Sequence, residues 1–175
     1  MATEGTSGHL EEQFDAWLAL AAGGAAPAAV GSPRLLRLPM LTGSMHPALP
    51  RGCTLLIAPL ARGPAAGGRG APSTGDVVVF ARDGRLVAHR VLRRAQRGGR
   101  TWLLEMGDAN RRGAWRPVDE AVGLVVGAEA ADGAPLRPPV SRARARRLLV
   151  RHWVAVLRGL AAPNVNDEPT PTGAP

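Results

Sequence analysis

Short apolar runs dominate the middle of the chain, and glycine, proline or an Asp-Gly pair separates each run from the next. Between residues 35 and 130 the runs read LLRLPML, TLLIAPL, VVVF, LVAHRVL, TWLLEM and AVGLVVGAEA. Runs of this length with turn residues between them are typical of strands. Asp83-Gly84 lies between two of the runs and predicts a hairpin turn. We therefore expect a mainly β domain over residues 35–130.

Helical periodicity occurs at the two ends of the chain. Residues 1–34 are predicted to form an amphipathic helix followed by a linker of small residues. Residues 131–175 are predicted to contain a basic amphipathic helix over 141–162 and a disordered, proline-rich tail. The apolar residues expected to share one face of that helix are Leu149, Trp153, Val156, Leu157 and Leu160.

The basic residues are all arginine, and the formal net charge is +8. Without lysine, no mechanism that needs a lysine base or a Schiff base can operate. The charge permits an anionic membrane surface, an acidic partner or nucleic acid. Zinc-finger spacing and aromatics interleaved with arginines are both missing, so we expect no nucleic-acid partner. Residues 141–162 can make a peripheral membrane contact or pack on their own domain, and the sequence leaves both open.

Several features of the sequence bear on the cellular compartment of the protein. The single cysteine, Cys53, excludes an internal disulfide. Acidic residues such as Glu4 and Glu11 stand where a secretory signal peptide carries positive charge. The uncharged run over 16–33 is rich in alanine and glycine and is interrupted by Pro27, which is not typical of a membrane span. We expect a cytoplasmic or peripherally membrane-associated protein rather than a secreted one.

Ser44, in the stretch LTGSMHPALPRG, is the candidate nucleophile because glycine and proline around it predict an exposed turn after a strand. A serine hydroxyl needs a base within hydrogen-bond reach, and without lysine the usual base is histidine. His89 lies in the run LVAHRVL, where alternation places it on one strand face with Val87 and Val91. His46 is the alternative base, although Pro47 makes its contact with Ser44 hard to arrange.

Asp108 follows Gly107 at the end of TWLLEM. A carboxylate at such a strand end can orient His89 and stabilise the imidazolium. A Gly-Asp pair is also common in ordinary turns, and the sequence alone does not separate the two interpretations.

Five stretches, TGSMHPAL, GDVVVF, LVAHRVL, GDAN and VGLVVGAEA, occur in the order of the conserved boxes of type I signal peptidases. The chain resembles the histidine variant of that family, the archaeal and endoplasmic-reticulum type. The resemblance implies a signal-peptidase/LexA-like β-fold peptidase core with N- and C-terminal helical extensions. Two departures are visible: Gly52-Cys53 stands where the family has Gly-Asp, and no carboxylate follows the GDAN stretch before Asp119.

The resemblance also implies roles for individual residues. Ser44 would be the nucleophile, His89 the general base and Asp108 the orienting acid. Thr42 and the Ser44 backbone N–H would form the oxyanion hole. The expected activity is a serine endopeptidase that needs no metal or cofactor and cleaves precursor proteins or leader peptides after small residues.

Two other functions are compatible with parts of the sequence. A non-catalytic member would bind an extended peptide through its β domain and would act through a partner or a membrane. A DNA-binding regulator with a peptidase-like domain would need a helix-turn-helix, and the first 35 residues contain no convincing one.

Overall fold

The computed structural model describes residues 35–60, 71–82, 85–136 and 140–159. Within these residues, seven strands form one antiparallel sheet in the order β1-β2-β7-β3-β4-β5-β6. The strands are β1 Leu36–Pro39, β2 Thr54–Pro59, β3 Val77–Arg82, β4 Arg85–Arg97, β5 Arg100–Met106, β6 Ala114–Pro117 and β7 Ala121–Glu129. The expectation of a mainly β domain is confirmed.

Each apolar run of the sequence corresponds to one strand, and β6 is the strand that the pattern did not predict. β6 lies at the edge of the sheet, pairs only with β5 and ends at Pro117. Proline is tolerated at an edge because one side of the strand needs no ladder hydrogen bond. β3 and β4 pair antiparallel up to Arg82 and Arg85. The predicted turn residues Asp83 and Gly84 themselves lie outside the described residues.

Both faces of the central strands are buried. Val77, Val79 and Ala88 belong to one apolar cluster, whereas Val78 and Val91 belong to another. Neighbouring residues of β3 thus enter different clusters, as the alternation of side chains in a strand requires. The alternation predicted for β4 is confirmed, since Ala88 and Val91 lie on opposite faces.

The described helix, α1, spans Arg142–Leu157. Its N-cap is Ser141, whose hydroxyl oxygen accepts a hydrogen bond from the Arg144 backbone N–H at 3.2 Å. Gly75 lies against this end of the helix: a Cβ atom at Gly75 would be 2.9 Å from the Arg142 nitrogen. Only glycine leaves room for such a close approach.

The apolar face predicted for α1 is wrong in part. The helix packs against Leu92, Leu104 and Met106 of the sheet through a different set of residues, namely Ala145, Leu148, His152 and Ala155. Leu149 is partly buried, whereas Trp153, Val156 and Leu157 are exposed. An ion pair from Arg144 to the buried Asp108 helps to set the rotation of the helix.

Other sequence predictions lie outside the described residues: the helix and linker over 1–34, Leu160 and the proline-rich tail. In the part of the chain that is described, no helix has both the length and the apolar character needed to cross a membrane.

Candidate active site

Ser44 lies in the turn between β1 and β2. The two ends of this turn are joined, because Met40 N–H donates to Cys53 O and Gly52 N–H donates to Met40 O, both at 2.8 Å. Met45 and Leu49 are fully buried in the apolar cluster beneath the turn. The exposure predicted for Ser44 is wrong, because with these anchors in the cluster Ser44 itself is 1% exposed.

The Ser44 turn is fastened to the segment that follows β5. Ser44 O accepts a 2.8 Å hydrogen bond from Ala109 N–H. A Cβ atom at Gly107 would be 2.8 Å from the same oxygen. Ser44 therefore occupies the space that a side chain at position 107 would otherwise fill.

His89 lies on β4, the strand that pairs with β5. Its neighbour Arg90 pairs with Met106 at the end of β5, and the segment that begins at Gly107 is the one that fastens the Ser44 turn. The sheet therefore pairs the strand that carries His89 with the strand whose end holds the Ser44 turn.

The imidazole of His89 is hydrogen-bonded to a carboxylate, but the carboxylate is Glu105 rather than Asp108. His89 Nδ1 and Glu105 Oε2 form a short, buried hydrogen bond. Both side chains are about nine-tenths buried. Arg116 also approaches Glu105, with Arg116 Nε 3.8 Å from Glu105 Oε1. The hydrogen bond fixes the orientation of the imidazole ring, and Arg116 brings a positive charge to the same carboxylate.

Asp108, the orienting acid implied by the resemblance, is held by arginines. Its carboxylate accepts two hydrogen bonds from Arg90, at 2.8 and 2.9 Å, and Arg144 Nε lies 2.8 Å from Asp108 Oδ2. The Asp108 side chain is fully enclosed by these partners. In the described contacts Asp108 therefore joins α1 to the sheet, and Glu105 is the carboxylate on His89.

One signal in the sequence could have identified Glu105. It is the only charged residue in the run TWLLEM, whose neighbours are apolar. A carboxylate inside an otherwise buried strand requires a partner, because an unpaired buried charge is costly. On β4, His89 is the residue within reach on the same face.

Thr42, the second residue expected at the site, lies beside the serine. Thr42 Oγ1 and Ser44 Oγ are 3.2 Å apart, and either hydroxyl can donate. Thr42 is exposed, whereas Ser44 is not. The structure therefore brings the two hydroxyl groups into contact.

Four other titratable side chains are those of His46, His152, Cys53 and Asp119. His46 is exposed, and the peptide bond between it and Pro47 is cis. His152 is buried on α1, where its Nδ1 accepts a 3.0 Å hydrogen bond from Gly113 N–H. Cys53 is buried, and burial raises the pKa of its thiol. Asp119 is exposed and is paired with Arg100 at 2.6 Å. None of these contacts links the residue to Ser44.

Among the described residues, no cluster of three or more histidine, cysteine or acidic side chains is arranged to hold a metal ion. No protein-family model matches the chain, and a search of curated proteins yields no match. The chemistry of the site is therefore argued from its own geometry: a buried hydroxyl, a second hydroxyl beside it, and an imidazole oriented by a carboxylate.

Proposed function

We propose that this protein is a serine endopeptidase of the signal-peptidase-like type, with Ser44 as nucleophile and His89 as general base. It cleaves precursor proteins or leader peptides after small residues. The observation that carries the proposal is the buried hydrogen bond between His89 Nδ1 and Glu105 Oε2, which joins β4 to β5, the strand whose following segment fastens the Ser44 turn. In a serine hydrolase, an imidazole that is held by a carboxylate serves as the base for the nucleophilic hydroxyl.

The reaction begins with proton transfer from Ser44 Oγ to His89 Nε2, as Oγ attacks the scissile carbonyl carbon. Hydrogen bonding of Nδ1 to Glu105 assigns the proton-accepting role to Nε2. Ser44 N–H and the Thr42 hydroxyl donate to the oxyanion of the tetrahedral intermediate. His89 then gives the proton to the leaving amine, and an acyl-enzyme remains on Ser44. Water activated by His89 releases the second product.

Glu105 supplies the negative charge that the resemblance assigns to Asp108. The chain has no carboxylate between the GDAN stretch and Asp119, and Asp108 is engaged by Arg90 and Arg144. Glu105 is hydrogen-bonded to His89 instead. In the proposed mechanism Glu105 orients the ring and stabilises the imidazolium that forms during the reaction.

The order of the motifs on the sheet supports a signal-peptidase/LexA-like fold. Ser44 follows β1, the Gly75-Asp76 pair precedes β3, His89 lies in β4 and Gly107-Asp108 follows β5. This is the order in which the resemblance places the nucleophile, the Gly-Asp box, the base and the second Gly-Asp box.

The proposal is tested by mass spectrometry of a peptide pool rich in Ala-X-Ala sites, incubated with wild type, Ser44→Ala and His89→Ala. Ser73→Ala is the matched control, because Ser73 is exposed and lies outside the site, and His46→Ala tests the alternative base. We expect cleavage after small residues by wild type, Ser73→Ala and His46→Ala, and none by the two site variants. Full cleavage by Ser44→Ala would refute the mechanism.

One observation favours a second candidate, a non-catalytic module that binds an extended peptide. Ser44 is 1% exposed, so a peptide reaches its hydroxyl only after local rearrangement. If wild type cleaves nothing but retains peptides from the same pool, with equal retention by Ser44→Ala, the binding module replaces the peptidase.

A further inference from the structure

The outward face of α1 carries four exposed apolar side chains at helical spacing. These residues, called the outer stripe below, are Val150, Trp153, Val154 and Leu157. Their spacing of three, one and three residues places them on one side of a helix. Leu157 is 83% exposed and Val150 is 64% exposed. The stripe is separate from the residues through which α1 packs on the sheet.

Arginines surround the outer stripe. Arg142, Arg146, Arg147 and Arg158 are exposed on the same helix or at its C-cap. No aspartate or glutamate occurs between residues 141 and 162, so this helix has no carboxylate of its own to neutralise them. Arg144 and Arg151 differ from these four because they contact the Asp108 region.

The combination identifies the chemistry of a suitable partner. An apolar stripe with tryptophan, bordered by arginines, matches a helix that lies in the interface plane of a bilayer. Indole rings prefer the headgroup level, and arginines are attracted to anionic lipids. The inner face of α1 is already packed on the sheet, so the outer stripe is the part of the helix available to a surface.

We propose that α1 docks the protein on an anionic phospholipid bilayer, with the outer stripe in the headgroup region and the surrounding arginines against lipid phosphates. The docking does not depend on catalysis. It would hold the segment after β5 close to the membrane, because Arg151 on α1 donates to Asp108 O at 2.6 Å.

Vesicle flotation of the full chain tests the docking. The vesicles contain phosphatidylcholine alone or phosphatidylcholine with phosphatidylglycerol. We expect binding to the anionic vesicles only. Each arginine near an anionic surface contributes about 1 kcal/mol, so R146Q/R147Q should bind roughly thirtyfold more weakly. R85Q/R93Q removes the same charge from exposed positions on β4 and should bind roughly as wild type does.

A second pair of double variants tests the contribution of the apolar side chains to vesicle binding. V150S/L157S should also lose binding, whereas L35S/V126S, which changes exposed apolar residues outside α1, should retain it. Brominated acyl chains should quench the fluorescence of Trp153, and the quenching should disappear in W153F. Circular dichroism of each variant establishes that α1 is still folded.

Three results would overturn the proposal. They are failure of wild type to bind anionic vesicles, binding of the α1 variants as strong as that of wild type, and equal quenching of wild type and W153F by brominated lipid. If V150S/L157S instead dissociates a dimer detected by light scattering, the outer stripe is an interface between two copies of the chain. Peptide cleavage in the absence of vesicles remains a separate readout, so failure of the docking does not affect the proposed activity.

Discussion

Arg90 and Asp108 form a two-contact ion pair in the interior of the protein, with Arg90 Nε 2.8 Å from Asp108 Oδ1. Arg90 is fully buried, and its Nη1 also donates to Gly75 O at 2.8 Å. The pair joins β4, the turn before β3 and the segment after β5. Because Arg144 binds the same carboxylate, this one group connects the sheet to α1.

Removal of the Asp108 charge should therefore destabilise the fold. Breaking a buried ion pair from one side typically costs about 3–5 kcal/mol, because the remaining charge is left uncompensated. We expect a loss of this size in the free energy of unfolding of D108N, measured by urea denaturation. R144Q should cost less, since the Arg144 side chain is 34% exposed. A stable D108N with impaired catalysis would instead support the orienting role first expected for Asp108.

Replacement of Glu105 should impair catalysis more than stability. E105Q keeps the shape of the side chain but removes the charge beside His89, and kcat should fall roughly 10²- to 10⁴-fold. E105D should recover part of the rate, because the carboxylate is retained. E120Q is the matched control, since Glu120 is an exposed carboxylate nearby. Equal kcat values for E105Q and wild type would remove Glu105 from the mechanism.

His152 should make stability depend on pH. Burial lowers the pKa of His152 in the folded protein from its ordinary value of 6.5, and the Arg112 charge lowers it further. Below pH 6.5 the unfolded chain therefore binds a proton at His152 more readily than the folded protein does. The contribution of neutral His152 to the free energy of unfolding is consequently lost as the pH falls. H152N, whose amide oxygen can still accept from Gly113 N–H, should lack the contribution. Chemical denaturation between pH 7.5 and 5 compares the two proteins.

A difference that does not change with pH would contradict this prediction for His152. If the difference in unfolding free energy between wild type and H152N is the same throughout that pH range, protonation of His152 does not oppose folding. Comparison within the pair cancels the titration of the other histidines and carboxylates to first order.

Gly75 should tolerate no side chain. Its φ is +101°, and an added Cβ would lie 2.9 Å from the Arg142 nitrogen. Gly133 has a φ of +85° with no atom within 4 Å of its added Cβ. G133A should cost about 1 kcal/mol from the backbone conformation alone. G75A should cost more, because the start of α1 must also move. Equal unfolding free energies for the two variants would show that α1 does not need the close approach.

The sequence predicted the strands well because their signals are local. Alternation in β4 correctly separated Ala88 from Val91. β6 was not predicted because it is a short edge strand of alanine, tryptophan, arginine and proline, too short and mixed to read as an apolar run. The face of α1 was wrong in part, since periodicity finds the large apolar residues but not the small ones, such as Ala145 and Ala155, that let the helix approach the sheet.

A one-residue shift in the pairing of β4 with β5 decides which carboxylate contacts His89. In the outer part of the β4–β5 ladder, Arg93 pairs with Leu104, and that register continued would place His89 opposite Asp108. A bulge between Val91 and Arg93 shifts the pairing so that Arg90 faces Met106. A shift of one residue moves a side chain to the other face of the sheet. Asp108 therefore meets Arg90, and Glu105 meets His89.

By itself the sequence determined the mainly β fold, the lack of a lysine base and the candidacy of Ser44 and His89, because these follow from composition and local pattern. The tertiary structure alone decided which carboxylate binds His89, which arginines enclose Asp108 and which face of α1 remains exposed. Those outcomes depend on a β-bulge and on close packing between distant segments. Neither leaves a periodic signal along the chain.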